Sequence, residues 1–107
     1  VHGTMDRTSR WEGDPFNEGG WGAYIAVPQA VGYWAAQARC TYEETIEMPL
    51  VRNKVILHKY KGGEPAWEGG PAVEVRLYEV IGGKHTWALN DIDTCKEIWE
   101  FFKIYLR

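Results

Sequence analysis

Serine occurs once in these 107 residues, as Ser9 in "RTSRW", and no Gly-x-Ser-x-Gly turn stands anywhere along the chain. A strained strand-to-helix elbow that would expose a serine hydroxyl is therefore not encoded here, and Ser9 lacks the helix N-terminus that would activate it as a substitute. Cysteine is scarce as well: Cys40 and Cys95 allow one bridge, two free thiols or one lost partner each, but not a four-thiolate metal site. No cluster of ligating residues emerges, so neither a metal nor a cofactor is expected. Apolar runs extend only a few residues, far short of the roughly 20 that cross a bilayer. Positive charge is not in excess either, with 12 Lys and Arg against 15 Asp and Glu and a net charge of -3. The cations are scattered among carboxylates and form no stripe for a phosphate backbone, so nucleic acid and membrane are both poor partners. The chain opens on Val1 without an initiator Met or a basic-then-apolar leader, which reads as part of something longer, with no signal or transit peptide.

What is present is apolar and aromatic. Hydrophobic residues make up 45% of the chain, with six Trp, six Tyr and three Phe, enough to bury one core despite twelve glycines. Residues 1–107 are read as one unit with no second domain. "VHGTMD" resembles the end of a strand entering a loop. Residues 7–23, rich in Gly, Asp, Asn and Pro, read as a long surface loop carrying Trp11, Phe16 and Trp21. In "VPQAVGYWAAQARC", Pro28 suits a first helical turn, and Val27, Val31, Trp34, Ala35 and Ala38 recur at helical spacing. "KVILHKY" (54–60) and "AVEVRLYEVI" (72–81) are dense in β-branched and aromatic residues and read as an antiparallel pair joined through "KGGEPAWEGGP". The last segment, "DIDTCKEIWEFFKIYLR", puts Cys95, Ile98, Trp99, Phe102 and Leu106 on one face, with Thr94 and Glu97 at capping-box spacing. The order strand tail, helix, strand, strand, helix fits an α/β layer arrangement, and Trp34 and Trp99 fall on helix stripes that assign them to the core.

Two residues carry the chemistry. Asp6 and His85 each stand on a loop just after a strand-like run, which in an open α/β sheet puts both at the carboxyl edge where ligands bind. There a carboxylate can fix the tautomer of an imidazole and stabilise its protonated form while the other ring nitrogen moves a proton. Of the other histidines, His2 reads as shaping the turn beside Asp6, and His58, on a strand face with Ile56 and Tyr60, reads as structural. Trp87, two residues past His85, is a candidate wall of a substrate cleft. Trp11 is a second substrate-binding candidate, because a large ring in a polar loop is costly to expose.

"HGTMD", "VPQAVGYWAAQARC", "VEVRLYEVIGGKHTW" and "DIDTCKEIWEFF", taken in that order, resemble the C-terminal portion of the polyhydroxybutyrate depolymerase and feruloyl or acetylxylan esterase family, which are secreted serine esterases. The likeness is weakest over residues 41–71. It implies the C-terminal part of an α/β-hydrolase fold, incomplete as given, with Asp6 the acid and His85 the base of a Ser-His-Asp triad in that fold's chain order. It also implies a serine upstream of Val1 and secretion. The implied substrates are feruloyl or acetyl esters of plant polysaccharide, or polyhydroxyalkanoate-like esters. Lys84 and Ala88 depart from the family, which tends to carry glycine and proline there, and Lys84 would disfavour an imidazolium at His85 if its ammonium pointed inward. Cys40 matches a family cysteine whose usual partner is absent. Cys95 could replace that partner only within about 7 Å between Cα atoms. Two alternatives stand beside the esterase: a carbohydrate-binding module, motivated by the loop aromatics, and a non-catalytic remnant that covers its exposed sheet edge by forming a homodimer.

Overall fold

The two runs densest in β-branched residues do pair. The computed structural model describes residues 1–106, and Arg107, the end of the expected final helical segment, lies outside them. Strand β3 (Val55–Lys61) and strand β4 (Val75–Val80) run antiparallel, with Leu57 opposite Tyr78 and Val55 opposite Val80. β1 (His2–Gly3) adds in parallel on the far side of β4, and β2 (Tyr42–Glu47) adds antiparallel to β3, for a sheet order β1-β4-β3-β2. Helix α1 (Val27–Gln37) lies between β1 and β2 in the chain, and helix α2 (Thr94–Lys103) follows β4.

This architecture overturns the expected C-terminal α/β-hydrolase segment. The expected antiparallel pair is present, but a hydrolase segment would set it against a parallel sheet between helical layers, whereas among the described residues the parallel pairing spans two residues and the unexpected β2 adds a further antiparallel edge. About 20% of the chain is helical and 24% extended, a small strand-rich mixed fold. The physical reason lies in residues 41–71. Parallel neighbours need a crossover of a dozen or more residues, usually helical, but the stretch between β2 and β3 is too short for one. The stretch between β3 and β4 folds back through a Pro65–Ala72 bridge. β2 itself, "YEETIE", escapes notice because glutamate is depleted from strands. Cross-strand charge compensates, with Lys61 Nζ 3.3 Å from Glu44 and Lys54 Nζ 3.5 Å from Glu47.

The core collects Val55, Leu57, Tyr78 and Val80 from the sheet with Ala88 and Ile92 from the loop after β4, flanked by Ile46 and Met48. Both helices are less buried than their stripes suggest. α1 begins with Pro28 in its first turn, the Gln29 side chain accepts from the Ala26 amide at 3.3 Å, and the helix lies against β4. Its one fully buried residue is Ala35, and Trp34 is 62% exposed, its indole edge-on to Tyr33 at 5.5 Å. In α2 the expected cap moves by one residue. The Asp93 carboxylate accepts from the Lys96 amide at 3.1 Å, while Thr94 is already helical and donates its hydroxyl to the Trp87 carbonyl at 2.6 Å. Glu97 accepts from the Tyr78 hydroxyl at 2.6 Å, and the Arg76 guanidinium sits 5.1 Å over the Phe101 ring. α2 therefore meets the sheet through Glu97 and Phe101, and Trp99 is 54% exposed instead of buried. Cys40 and Cys95 are both free thiols, Cys40 donating to the Tyr60 carbonyl at 3.4 Å.

Candidate active site: Asp6 and His85

The loops after β1 and β4 are stitched together by backbone. The Thr4 amide donates to the Val80 carbonyl at 3.0 Å, the Met5 amide to the Gly83 carbonyl at 2.9 Å, and the Gly82 amide to the Thr4 hydroxyl at 2.8 Å. Each such bond contributes about 1 kcal/mol. Glycine makes the approach possible: a methyl group on Gly3 would overlap the Gly83 carbonyl, and Gly82 turns the chain at φ +81. The motifs "HGTMD" and "IGGKH" thus encode one contact, and it brings residues 79 positions apart together.

Asp6 is buried, and its two carboxylate oxygens divide the work. Oδ1 accepts the Thr8 and Ser9 amides, each at 2.9 Å, so the chain just downstream wraps the carboxylate. Oδ2 lies 2.9 Å from His85 Nδ1 and 3.6 Å from His2 Nε2. Burial alone would raise the Asp6 pKa, but the Ser9 amide, the His85 ring and the Thr8 amide together outweigh it and hold the carboxyl below its ordinary value. An ionised carboxylate only accepts, so His85 Nδ1 carries the hydrogen of that bond, and in the neutral ring Nε2 keeps its lone pair. Among the described residues nothing hydrogen-bonds that Nε2. His2 is fixed the opposite way: Nε2 faces the Ser9 carbonyl at 2.7 Å and must donate to it, which pins the loop that wraps Asp6.

The imidazole is open to solvent between two hollows. One, of about 460 Å³, is lined by Met5, Arg7, Thr8, Lys84, His85 and Thr86. The other, of about 300 Å³, is bounded by Val1, His85, Thr86 and Trp87. The carrier loop is held from behind: the Thr94 hydroxyl bonds the Trp87 carbonyl, and Ala88 and Ile92 are buried in the core. The buried Asp91 carboxylate accepts the Asn53 amide at 2.8 Å. An exposed ring on an anchored loop is suited to proton transfer, because its position is set before any ligand arrives.

The structure separates the two tryptophans proposed from sequence. Trp87 stands beside His85, 75% exposed. Trp11 packs its ring 6.1 Å from His2 and borders a different hollow with Pro28, His58 and Glu79. Ser9 takes part through its backbone amide and carbonyl. Arg7 and Thr8 join the site without a signal of their own in the sequence, and Lys84, noted for its charge beside His85, lines the same hollow. Their adjacency in sequence to Asp6 and His85 was the available signal, since neighbours of two docked loop tips share the cleft between them. No family model, curated protein or solved structure matches this chain, so the esterase likeness stands on its four sequence motifs alone.

Proposed function

We propose that Asp6 and His85 are the acid and base of a carboxylic-ester hydrolase, with the attacking serine supplied from outside these 107 residues. The observation that carries this reading is the 2.9 Å bond between His85 Nδ1 and a buried Asp6 that also accepts two backbone amides, on an imidazole that is exposed and lines an open cleft. In the reaction, Nε2 takes the proton of the serine hydroxyl as oxygen attacks the acyl carbonyl, and Asp6 stabilises the resulting imidazolium. Nε2 then returns the proton to the departing alcohol, and water repeats the sequence on the acyl-enzyme. The reading requires the docked pair of loops and an attacking serine, not a parallel helix-layered sheet. By resemblance, the substrates are feruloyl or acetyl esters of plant polysaccharide, or polyhydroxyalkanoate-like esters. The test is turnover of a chromogenic acetyl or feruloyl ester by the parent-length protein. His85→Ala should remove it, and unchanged turnover would end the assignment.

A second reading, a carbohydrate-binding surface, is favoured by rings left open to solvent: Phe16 at 83%, Trp21 at 77% and Trp34 at 62% exposure. Incubation with insoluble xylan or cellulose separates the two, since a binding surface pellets with the polymer whether or not His85 is present.

A further inference from the structure

We propose that the His85 cleft selects esters bearing a carboxylate, held by Arg7 and Lys84. The inference rests on the hydrolase reading for the word ester, but the anion site itself does not depend on catalysis. The chain carries more carboxylates than cations, and most of its cations are neutralised. Arg10, Arg39, Arg52, Arg76, Lys54, Lys61 and Lys103 each hold a carboxylate oxygen within 3.5 Å, seven of the twelve Lys and Arg. Lys59 and Lys96 stand without such a pair among the described residues but line no hollow with His85. Arg7 and Lys84 have no ion-pair partner among the described residues, and the two line the same hollow, together with His85.

No acidic side chain is among the residues lining that hollow, and Asp6, the carboxylate bonded to His85, is buried and already occupied by two amides and the His85 ring. The hollow therefore has cations with nothing of its own to pair them, and a cleft lined by one sign of charge raises the local concentration of the opposite sign. A guanidinium matches a carboxylate in a planar two-point contact, while an ammonium adds a compact charge. Thr86 borders both hollows, and the exposed Trp87 lines the second one with His85. An ester lying across His85 would place its carboxylate toward Arg7 and Lys84 and an apolar group toward Trp87, with the scissile carbonyl over Nε2.

The test uses a matched pair of non-hydrolysable amides, 4-acetamidobenzoate and neutral 4-acetamidobenzamide, titrated into the chain while the nuclear magnetic resonance signals of His85, Thr86 and Trp87 are followed. The benzoate should shift those signals and bind about tenfold more tightly at low salt, at roughly threefold for each exposed cation. That preference should shrink at 0.5 M salt and should fall in Arg7→Gln and in Lys84→Gln, both surface changes that leave the remaining spectrum in place. Equal affinity for the two amides, no binding of either, or a preference that survives in both variants would each overturn the anion site. Turnover is read separately. A benzoate preference lost in the variants, alongside ester turnover indifferent to His85→Ala, would refute the hydrolase and leave the anion site standing.

Discussion

His85 and His58 each hold a carboxylate oxygen 2.9 Å from a ring nitrogen, Asp6 in one case and Glu79 in the other. The distances match; the surroundings do not. His58 lies on the face of β3 with both nitrogens engaged, Nε2 toward Glu79 and Nδ1 3.6 Å from Glu43, and neither it nor Glu79 is more than 21% exposed. In the Asp6–His85 pair the carboxylate is 5% exposed and the imidazole 64%, and the carboxylate is saturated by backbone amides. A proton shuttle needs one nitrogen fixed and the other free, on a ring that ligands can reach. His85 meets those conditions and His58 does not, so a histidine–carboxylate distance alone says little about chemistry.

The sharpest way to break the comparison is to neutralise each acid. In Asp6→Asn the amide oxygen can still accept from Thr8 and Ser9, which turns the amide NH2 toward His85 Nδ1. That favours the tautomer with hydrogen on Nε2, which cannot take a proton. Turnover by the parent-length protein should fall on the order of 10³- to 10⁴-fold, whereas Glu79→Gln should leave it unchanged. A similar loss in both variants would mean that the two pairs act as one network.

Next in size is the contact that creates the dyad. Gly3→Ala drives a methyl group into the Gly83 carbonyl, where neither backbone can yield without opening the loop stitching. A loss of about 1–3 kcal/mol is expected in denaturant unfolding, with the His85 ring signal moving to that of an unpaired imidazole and the His58 signal unmoved. Coincident changes at both rings would show that the loops do not open independently of the sheet.

This contact also marks how far the sequence could be read. The residues that touch, "HGTMD" and "IGGKH", were legible because short polar loops after strand-like runs leave few places for a carboxylate and an imidazole to go. The β3–β4 pair and α1 were legible from periodicity. β2 was not, because three of its six residues are glutamates, and what makes it a strand lies elsewhere in the chain: its pairing with β3 and the partners of its carboxylates, Lys61, Lys54 and His58. Trp34 and Trp99 misled for a related reason: a helical stripe marks the apolar side of a helix but not how closely the helix approaches. α1 and α2 meet the sheet through Ala35 and through Glu97 and Phe101, which leaves the indoles outside. The family likeness predicted helical layers that residues 41–71 do not form, because β2 and β3 pair as a hairpin and the chain between β3 and β4 folds back through the Pro65–Ala72 bridge, which leaves no helical crossover.

Acid titration tests the same pair without touching the sheet. Because the folded Asp6 pKa is depressed, the carboxylate adds stability that is fully present above its unfolded value near 4. That stability is lost as pH falls through the lower folded value. The Tm difference between wild type and Asp6→Asn should therefore be largest at neutral pH and close progressively below about pH 4. A difference that stays constant down to pH 2 would mean that the amides around Asp6 do not recognise its charge. Asp14, whose carboxyl is also held low by the Gly19 and Glu18 amides, contributes to the wild-type acid limb in both proteins and cancels from the difference.

The smallest effect expected is at Ala88, and it is informative because three terms nearly cancel. Ala88 has φ +57, left-handed backbone that a proline ring cannot adopt, so a proline would not fit at this position. Replacing it with glycine relieves about 1 kcal/mol of backbone strain. The same change removes a buried methyl worth about 0.8 kcal/mol and frees the unfolded chain by about 0.4–1 kcal/mol. The sum is a slight destabilisation, below about 1 kcal/mol by those terms, with the His85 ring signal still paired to Asp6. If the ring instead loses its partner, then the loop holding His85 is kept in place by Ala88 in the core. The Thr94 and Asp91 bonds behind it would then be secondary, and the rigidity that separates His85 from an ordinary surface histidine would rest on a single methyl group.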